Sequence, residues 1–459
     1  MVEGAITAES LPARYRSLMV SRAFSDTPCA RCESIVSALH LLASQGAHLN
    51  NLITRNLIST ASLFAFASMV AAQNNQSLQQ LGGEGSNLER SSGSSFNAFL
   101  SSARYDFGRG LTFSSADGEN TMNVSGQVQV GYTWTEFNLD QAGAVGSNYT
   151  FGSSFSSDAR LRVGGSVMDG KASYFLQMDP TGGGQDSDNL VDAWVGWHVA
   201  DGINLRVGRQ KMRSGLSADT SANDTDFETI SRSSATNEFA NLRATGAMLE
   251  GAGMEGRFNW HLGVANSGTA ANTASQILFL APAASQANDD TDMMVTAGLS
   301  FGSHAGNSED WSEGDLAHSG EMQWIAGATV TVNNGAVDDT QTINAFGGFK
   351  FGNGFATQVE YWTRDFDNAD LTDDGGYVQL SYTMAKSGSM QPGFVARFGT
   401  VNFENNPDVE GPEFVIGANA YFAEHNLKWQ LQYASGTVEN FAADDIESSS
   451  IGLLCTVVF

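Results

Sequence analysis

The sequence predicts an all-β protein, a transmembrane antiparallel β-barrel of about 16 strands. Polar and apolar residues alternate with a period of two in many segments from about residue 111 to the end of the chain, as they do in strands with one apolar and one polar face. No apolar run is long enough for a membrane-spanning helix. The chain holds 50 Gly against 7 Pro, which suits many strands joined by turns.

The first strong strand signal lies at 121-136, where Val128 and Val130 alternate with Gln127 and Gln129. One of these faces suits lipid and the other suits water. The same alternation predicts the remaining strands, in chain order, near 158-168, 171-179, 189-199, 202-211, 243-250, 254-266, 291-301, 320-332, 340-350, 354-364, 376-385, 392-401, 412-423, 426-435 and 447-459.

The predicted connections alternate between short turns and longer loops, as they do in outer-membrane barrels. The loops fall at 137-157, 180-188, 212-242, 267-290, 365-375, 402-411 and 436-446. Two connections break the rule: 302-319 is long where a turn is due, and 333-339 is short where a loop is due. The count in the middle of the barrel could therefore differ by one hairpin.

Alternation also describes a soluble sandwich or a β-helix, in which one face of a sheet lies on a core. The even strand count, the terminal Phe459 and aromatic residues at strand ends favour the barrel. Such aromatic residues include Trp134, Trp197, Tyr361 and Tyr433.

Four segments are expected along the chain. Residues 55-72 have a basic residue, an apolar stretch and small residues at the end, the layout of a secretory signal peptide cleaved after Ala72. Residues 1-54 precede it and represent either a mis-assigned start or a functional pre-domain. Residues 73-110 form a polar periplasmic lead-in, and residues 111-459 form the transmembrane barrel.

The net charge of -27 argues against nucleic acid as a partner, because phosphate binding needs clustered Lys and Arg. Removing residues 1-72 takes away five basic and four acidic residues, so the exported chain carries -28. Cys29 and Cys32 form a lone C-x-x-C ahead of the cleavage site with no further ligands at zinc spacing. We therefore expect neither a metal site nor a cofactor.

The sequence contains no H-E-x-x-H motif and no G-x-x-x-x-G-K followed by Ser or Thr. The seven His are scattered singly, and His425 falls in a predicted short turn where we expect it to be solvated. We expect no catalytic residues and no enzymatic activity.

Three phrases resemble the phosphate-selective porin O/P family: GLTFSSADGENTMNVSGQVQVGY at 110-132, DAWVGWHVADGINLRVGRQKM at 192-212 and EFVIGANAYFAEHNLKWQLQY at 413-433. The resemblance spans nearly all of 110 to 459. It implies a sixteen-stranded, usually trimeric, water-filled channel in the Gram-negative outer membrane for passive diffusion of small hydrophilic solutes, with an anion preference such as phosphate. The apolar last strand ending on Phe459 resembles the insertion signal of such barrels, which implies outer-membrane lipid and the β-barrel assembly machinery as partners.

Family members that select phosphate are understood to use luminal Lys and Arg, since charged rings set channel selectivity, yet only five Lys exist here. Every second residue of a strand faces the lumen, and this alternation gives candidate pore-lining residues. The basic candidates are Arg160, Arg162, Lys171, Arg206, Arg397 and Lys428, together with Arg209, Lys211 and Arg213 at the end of one strand. The acidic candidates are Asp179, Asp192, Glu321 and Glu360.

The loop at 212-242 is the best candidate for narrowing the pore, and its acidic residues are Asp219, Asp224, Asp226 and Glu228. Two interpretations of the basic cluster that leads into it stay open. The cluster attracts small anions at the constriction, or it pairs with these carboxylates and pins an inward-folded loop. The function likewise stays open between an anion or phosphate porin, a cation-preferring or general porin, and a plugged structural or adhesive barrel.

Overall fold

We analysed a computed structural model of the full chain. It describes residues 103–140, 147–180, 190–220, 225–268, 288–304, 306–334, 339–367, 370–404, 409–441 and 444–459. No helix in this part of the chain is long and apolar enough to cross a membrane. The predicted signal peptide at 55-72 and the segment before it lie outside the described residues.

The described residues form 19 strands and two short α-helices. The strands are β1 Arg104–Asp106, β2 Gly110–Ser114, β3 Thr121–Asp140, β4 Ser147–Val167, β5 Ala172–Met178, β6 Leu190–Ala200, β7 Ile203–Lys211, β8 Arg243–Gly253, β9 Phe258–Gly268, β10 Asn288–Gly302, β11 Gln323–Asn334, β12 Asp339–Lys350, β13 Phe355–Phe366, β14 Leu371–Thr383, β15 Gln391–Phe403, β16 Val409–Glu410, β17 Glu413–Tyr421, β18 Leu427–Phe441 and β19 Asp444–Val458. The helices are α1 Leu216–Asp219 and α2 Ser234–Phe239, and 3₁₀ turns lie at Met254–Gly256 and Ser308–Asp310.

Sixteen strands close into one antiparallel barrel, as predicted. Each long strand pairs with its neighbour in sequence, and β19 closes the ring on β3, with Val458 opposite Gln127. One step further along, Phe459 and Gly126 exchange two backbone hydrogen bonds of 2.7 and 2.9 Å. The β1–β2 hairpin pairs with the part of β3 that precedes Gly126, next to the point where β19 ends. Leu111 of β2 pairs there with Val124 of β3.

The barrel wall has a polar inner face and an apolar outer face. On β14, Gln379 and Ser381 are buried whereas Val378 and Leu380 are 47% and 46% exposed. A side-chain period of two produces this arrangement, because every second residue points away from the lumen. The exposed apolar face is therefore the lipid-facing surface of the barrel.

All sixteen predicted strands are present, but several extend further than predicted. Residues 147–157 were predicted as loop, and they belong to β4, which pairs with an equally extended β3. Tyr149, Phe151 and Phe155 alternate there with polar residues, but Gly152 and the Ser residues that follow it are typical of a loop, so the pairing with β3 is what defines the strand. Likewise β18 and β19 extend into the predicted loop at 436-446, to Phe441 and from Asp444.

The two irregular connections do not change the strand count. The long connection after β10 joins it to β11, and the short one after β11 joins it to β12. The strand directions place the long connection at the end of the barrel where the tight turns lie, which we call the turn end; the other end is the loop end. Of the predicted lead-in at 73-110, the described residues form β1 and the start of β2.

Candidate functional site: two segments inside the barrel

Two segments fold into the lumen from opposite ends of the barrel. The first, the inner loop, is residues 212–242 from the loop end, described for 212–220 and 225–242. The second, the inner segment, is residues 306–320 of the long connection at the turn end. Both contact inward-facing side chains of the wall, so together they occupy much of the lumen.

The inner loop is bound to the wall from β13 to β18. The Lys428 ammonium donates hydrogen bonds to the Thr225 and Phe227 carbonyl oxygens, at 2.7 and 2.5 Å. The Glu360 carboxylate accepts from the Ser217 amide at 2.5 Å. Because these bonds go to backbone groups, they fix the course of the main chain of the inner loop.

Two buried arginines add to this attachment. Arg397 pairs with Glu413 at 2.5 Å, and its guanidinium also donates to the Ser231 carbonyl at 2.9 Å. Arg364 pairs with Glu238 of α2 at 2.7 Å and with Asp373 at 3.1 Å. Arginine suits such sites because its planar fork reaches a carboxylate and a carbonyl together.

Aromatic packing seats α2 on the wall. The ring of Phe239 stacks on Trp362 with 6.4 Å between ring centroids, and Trp362 stacks on Tyr377 at 6.1 Å. Trp362 and Phe239 are at most 2% exposed. The inner face of β13 and β14 therefore carries an apolar patch that binds the inner loop.

The inner segment bridges two parts of the wall. On the β12–β14 side, Lys350 donates to the Ser312 hydroxyl at 2.9 Å and lies 4.6 Å from the centre of the Trp311 ring. The Asp315 carboxylate accepts from the Gly354 amide at 2.8 Å. On the other side the segment reaches β7 and β8 through Glu309.

Four charged side chains form a compact cluster there, which we call the Arg-Glu cluster. Its members are Arg206 of β7, Glu250 of β8, Arg213 of the inner loop and Glu309 of the inner segment. Arg206 and Arg213 reach Glu250 at 2.5 and 2.9 Å, and they reach Glu309 at 3.3 and 2.9 Å. Both guanidinium groups are buried, and one cluster thus joins the wall, the inner loop and the inner segment.

The two inner segments also bind each other directly. The Glu313 amide donates to the Asp226 carbonyl at 2.9 Å, and the Glu228 amide donates to the Glu313 carboxylate at 2.8 Å. The Ser308 hydroxyl donates to the Asp219 carboxylate at 2.6 Å. The inner loop and the inner segment therefore meet at two points inside the lumen.

Burial and neighbouring charges shift the pKa values of the carboxylates in these segments in opposite directions. Burial raises the pKa of Glu228 to about 8 and that of Asp219 to about 6, although Arg213 partly offsets the rise at Asp219. It raises the pKa of Glu238 to about 7 against the opposing charge of Arg364. At Glu309 burial also opposes ionisation, but Arg213 and Arg206 outweigh it and lower the pKa to about 2. Glu309 is therefore a permanent anion, whereas Glu228 holds a proton at neutral pH.

The predicted basic cluster at 206-213 contributes to the attachment of the inner loop, and its partners include carboxylates of the wall and of the inner segment. Arg206 and Arg213 pair with Glu250 and Glu309, which the sequence analysis did not single out. Lys211 donates to the Asp219 and Thr220 carbonyls at 3.4 and 3.3 Å, and Arg209 donates to the Val191 carbonyl at 3.2 Å. The predicted constriction residue Asp224 lies outside the described residues.

Among the remaining predicted pore residues, Arg160 and Arg162 lie on β4 and Asp192 lies on β6, whereas Lys171 and Glu321 are exposed in connections at the turn end. Arg160 pairs with Asp158 at 3.4 Å, Asp192 pairs with Arg243 at 3.1 Å, and Arg162 donates to Gln177 at 3.1 Å. Their roles in selectivity stay predictions, as does the role of Phe459 as an insertion signal. His425 was expected to be solvated, and this was wrong: it is 6% exposed and its Nε2 lies 2.9 Å from the Glu313 carbonyl.

Sequence reasoning missed most of the inner segment. Glu309, Glu313 and Asp315 lie in the connection 302-319, whose unexpected length was the available signal. A long connection where a turn is due is expected to pack against a surface of the protein. Its charged residues indicate that this surface is polar, as the wall of the lumen is.

A closed barrel with a polar inner face and an inward-folded loop is the architecture of an outer-membrane porin. The sequence profile of the family "phosphate-selective porin O and P" matches residues 122–445, which is 324 of the 459 residues. The chain therefore belongs to this family. It forms an outer-membrane channel for passive diffusion of small hydrophilic solutes.

Solved structures of low sequence identity are similar to it. The outer-membrane channel DcaP of Acinetobacter baumannii is 11% identical, with 76% of this chain and 99% of that chain covered and a TM-score of 0.48. An anion-selective porin from Comamonas acidovorans is 12% identical, with 74% and 100% covered and a TM-score of 0.43. OmpT of Vibrio cholerae is 12% identical, with 74% and 98% covered and a TM-score of 0.44. No curated protein matches the chain.

Proposed function

We propose that this porin is a narrow general channel for small hydrophilic solutes, with weak ion preference and without a phosphate-binding ladder. One observation carries the proposal: the luminal Arg and Lys of the β7 and β13–β18 walls are already bound to carboxylates or carbonyl oxygens of the two inner segments and the wall. Arg206, Arg364 and Arg397 each pair with Glu or Asp, and Lys428 binds two carbonyls. Neutralised cations attract anions weakly, because a nearby opposite charge cancels their field.

We place the solute path along β3 and β4. Inward-facing side chains of the β13–β15 wall are covered by the inner segments, whereas Ser154 and Ser156 of β4 are exposed and Gln129, Asp158 and Arg160 are partly exposed. The path is thus lined by hydroxyl and amide groups and by one ion pair of opposite charges. Such a lining favours small polar solutes over either ion class.

Reversal potential across a planar bilayer in a KCl gradient, repeated with phosphate added, tests the proposal. We expect a potential close to zero and no block by phosphate. A strong anion potential with phosphate block would contradict it and support the activity for which the family is named. A barrel with no conductance at all would instead be plugged.

Two matched variants test the location of the path. We expect Arg160→Gln to shift the reversal potential toward cation preference, since it removes a positive charge from the lining and keeps the negative charge of Asp158 there. Lys386→Gln removes the same charge from the exposed connection between β14 and β15, so we expect no shift. Equal effects of both variants, or none, would contradict a path along β3 and β4.

We also propose that the chain is exported through the signal peptide at 55-72, is inserted by the β-barrel assembly machinery with Phe459 as its signal, and assembles as a homotrimer in outer-membrane lipid. The pairing of Phe459 with Gly126 supports a role of the last residue in closing the ring. Crosslinking of the purified protein and sequencing of its amino terminus test the trimer and the cleavage after Ala72.

A further inference from the structure

We propose that Glu309 is a positioning residue for transport: it holds the inner segment across the lumen and thereby sets the width of the pore. The inference rests on the proposed channel function. It goes beyond that function by assigning the control of pore width to one ion-pair cluster on a turn-end connection.

The contacts of the inner segment make Glu309 its link to the β7–β8 wall. On the opposite side the segment is attached by Ser312 to Lys350, by Trp311 to Gln358 at 3.3 Å and by Asp315 to Gly354. Toward β7 and β8 the charged contacts are those of Glu309 with Arg206 and Arg213. Without Glu309 the segment keeps its attachment to the β12–β14 wall and loses its charged contacts with Arg206 and Arg213.

The position of the cluster connects it to the solute path. The Arg206 guanidinium lies 5.1 Å from the centre of the Trp194 ring on β6, two strands away from the β4 wall. The Arg-Glu cluster thus lies at the edge of the inner segment, on the side of the barrel wall that the inner segments cover less. Movement of this edge away from β7 would widen the opening on that side.

The chemistry of the cluster favours a positioning role over a purely stabilising one. A buried ion pair adds little net stability, because its attraction is offset by the cost of removing two charges from water. Its hydrogen bonds are directional, however, so the pair favours one arrangement of the groups that it joins. Arg206 and Arg213 each contact both Glu250 and Glu309. Loss of Glu309 therefore leaves both guanidinium groups paired with Glu250 on the wall. The segment then keeps only uncharged acceptors on this side, such as the Asn307 side chain, which accepts from Arg213 at 3.2 Å, and the Gly306 carbonyl, which accepts from Asn259 at 2.8 Å.

The variant Glu309→Gln tests this by single-channel conductance of the purified full chain in planar bilayers. We expect conductance to rise by at least about 1.5-fold, because conductance follows the width of the narrowest part. Glu119→Gln is the matched control: Glu119 is exposed in the connection between β2 and β3, so we expect wild-type conductance. Equal conductance of Glu309→Gln and wild type would overturn the proposal, since a merely structural role would lower the unfolding temperature alone.

Cysteine labelling provides a second readout. In a background with Cys29, Cys32 and Cys455 replaced by Ser, we expect Ser308→Cys to react slowly with a charged methanethiosulfonate, because Ser308 is 7% exposed. We expect it to react faster once Glu309→Gln is added. No acceleration would contradict release of the segment. If Glu309→Gln does not fold, Glu309→Asp keeps the charge with a shorter reach, and unchanged conductance of that variant would count against the proposal. An absence of conductance in the wild type would refute the channel function instead.

Discussion

Glu228 is expected to make the stability of the porin depend on pH. Its carboxyl group is 1% exposed in the lumen, and burial together with the neighbouring Glu313 raises its pKa to about 8 from an ordinary value of 4.5. The folded protein therefore holds this proton more tightly than the unfolded chain does. Stability from this group is fully present below pH 4.5 and is lost as the pH rises through about 8.

The size of the effect follows from the two pKa values. Each pKa unit corresponds to about 1.4 kcal/mol, so the free energy of unfolding should fall by on the order of 3 kcal/mol between about pH 5.5 and about pH 8.5. Glu238 and Asp219 have raised pKa values of about 7 and about 6 and act in the same direction over lower pH windows. Glu309, with its lowered pKa of about 2, loses its contribution only in strong acid.

The variant Glu228→Gln removes the titrating group and keeps the shape of the protonated side chain. We expect it to be more stable than the wild type at about pH 8.5 by on the order of 3 kcal/mol, and to differ much less at about pH 5.5. Urea-induced unfolding in detergent micelles, followed by circular dichroism, measures both values. The exposed Glu321→Gln serves as control and should reproduce the wild-type slope; parallel curves for Glu228→Gln and wild type would refute the reasoning.

Three further predictions concern the wall and its contacts. Glu413→Gln leaves Arg397 in a buried site without its carboxylate, so we expect a loss of about 3 kcal/mol in unfolding free energy, and a loss below about 1 kcal/mol would indicate an exposed pair. Trp362→Ala removes a fully buried ring under α2; we expect a loss of about 3 to 5 kcal/mol and faster proteolysis of the inner loop, and resistance equal to wild type would contradict the packing. Gly126→Val places methyl groups where a Cβ alone would lie 2.9 Å from the Phe459 ring; we expect less folded, heat-modifiable barrel on gel electrophoresis, and a normal yield would mean that the terminal ring moves aside freely.

The strands were predictable because their signal is local. Alternation at Val128 and Val130 against Gln127 and Gln129 already distinguishes the lipid face from the lumen face, since successive side chains point to opposite sides. The extended end of β4 was missed because Gly152 and the Ser residues that follow it are typical of a loop, although Tyr149, Phe151 and Phe155 alternate with polar residues there. Only the pairing with β3 shows that this segment is a strand.

The candidate site was less predictable. Arg206 and Arg213 were identified from their position at the end of β7, yet their partners were sought among the nearest carboxylates in the chain. The partner that matters here, Glu309, lies 103 residues from Arg206. Its connection was noted for its length, but length does not say into which space a connection folds.

The sequence by itself determined the barrel, its strand order and the division into lipid-facing and lumen-facing residues, because each of these follows from a short repeated pattern in a chain that pairs with its own neighbours. Only the tertiary structure decided how the lumen is filled. The contacts of Glu309 with Arg206 and Arg213, and of Glu228 with Glu313, depend on closure of the ring. Closure brings segments from opposite ends of the barrel together in the lumen, where their side chains are shielded from water. There burial sets which carboxylates keep their charge, and no local pattern in the chain encodes that.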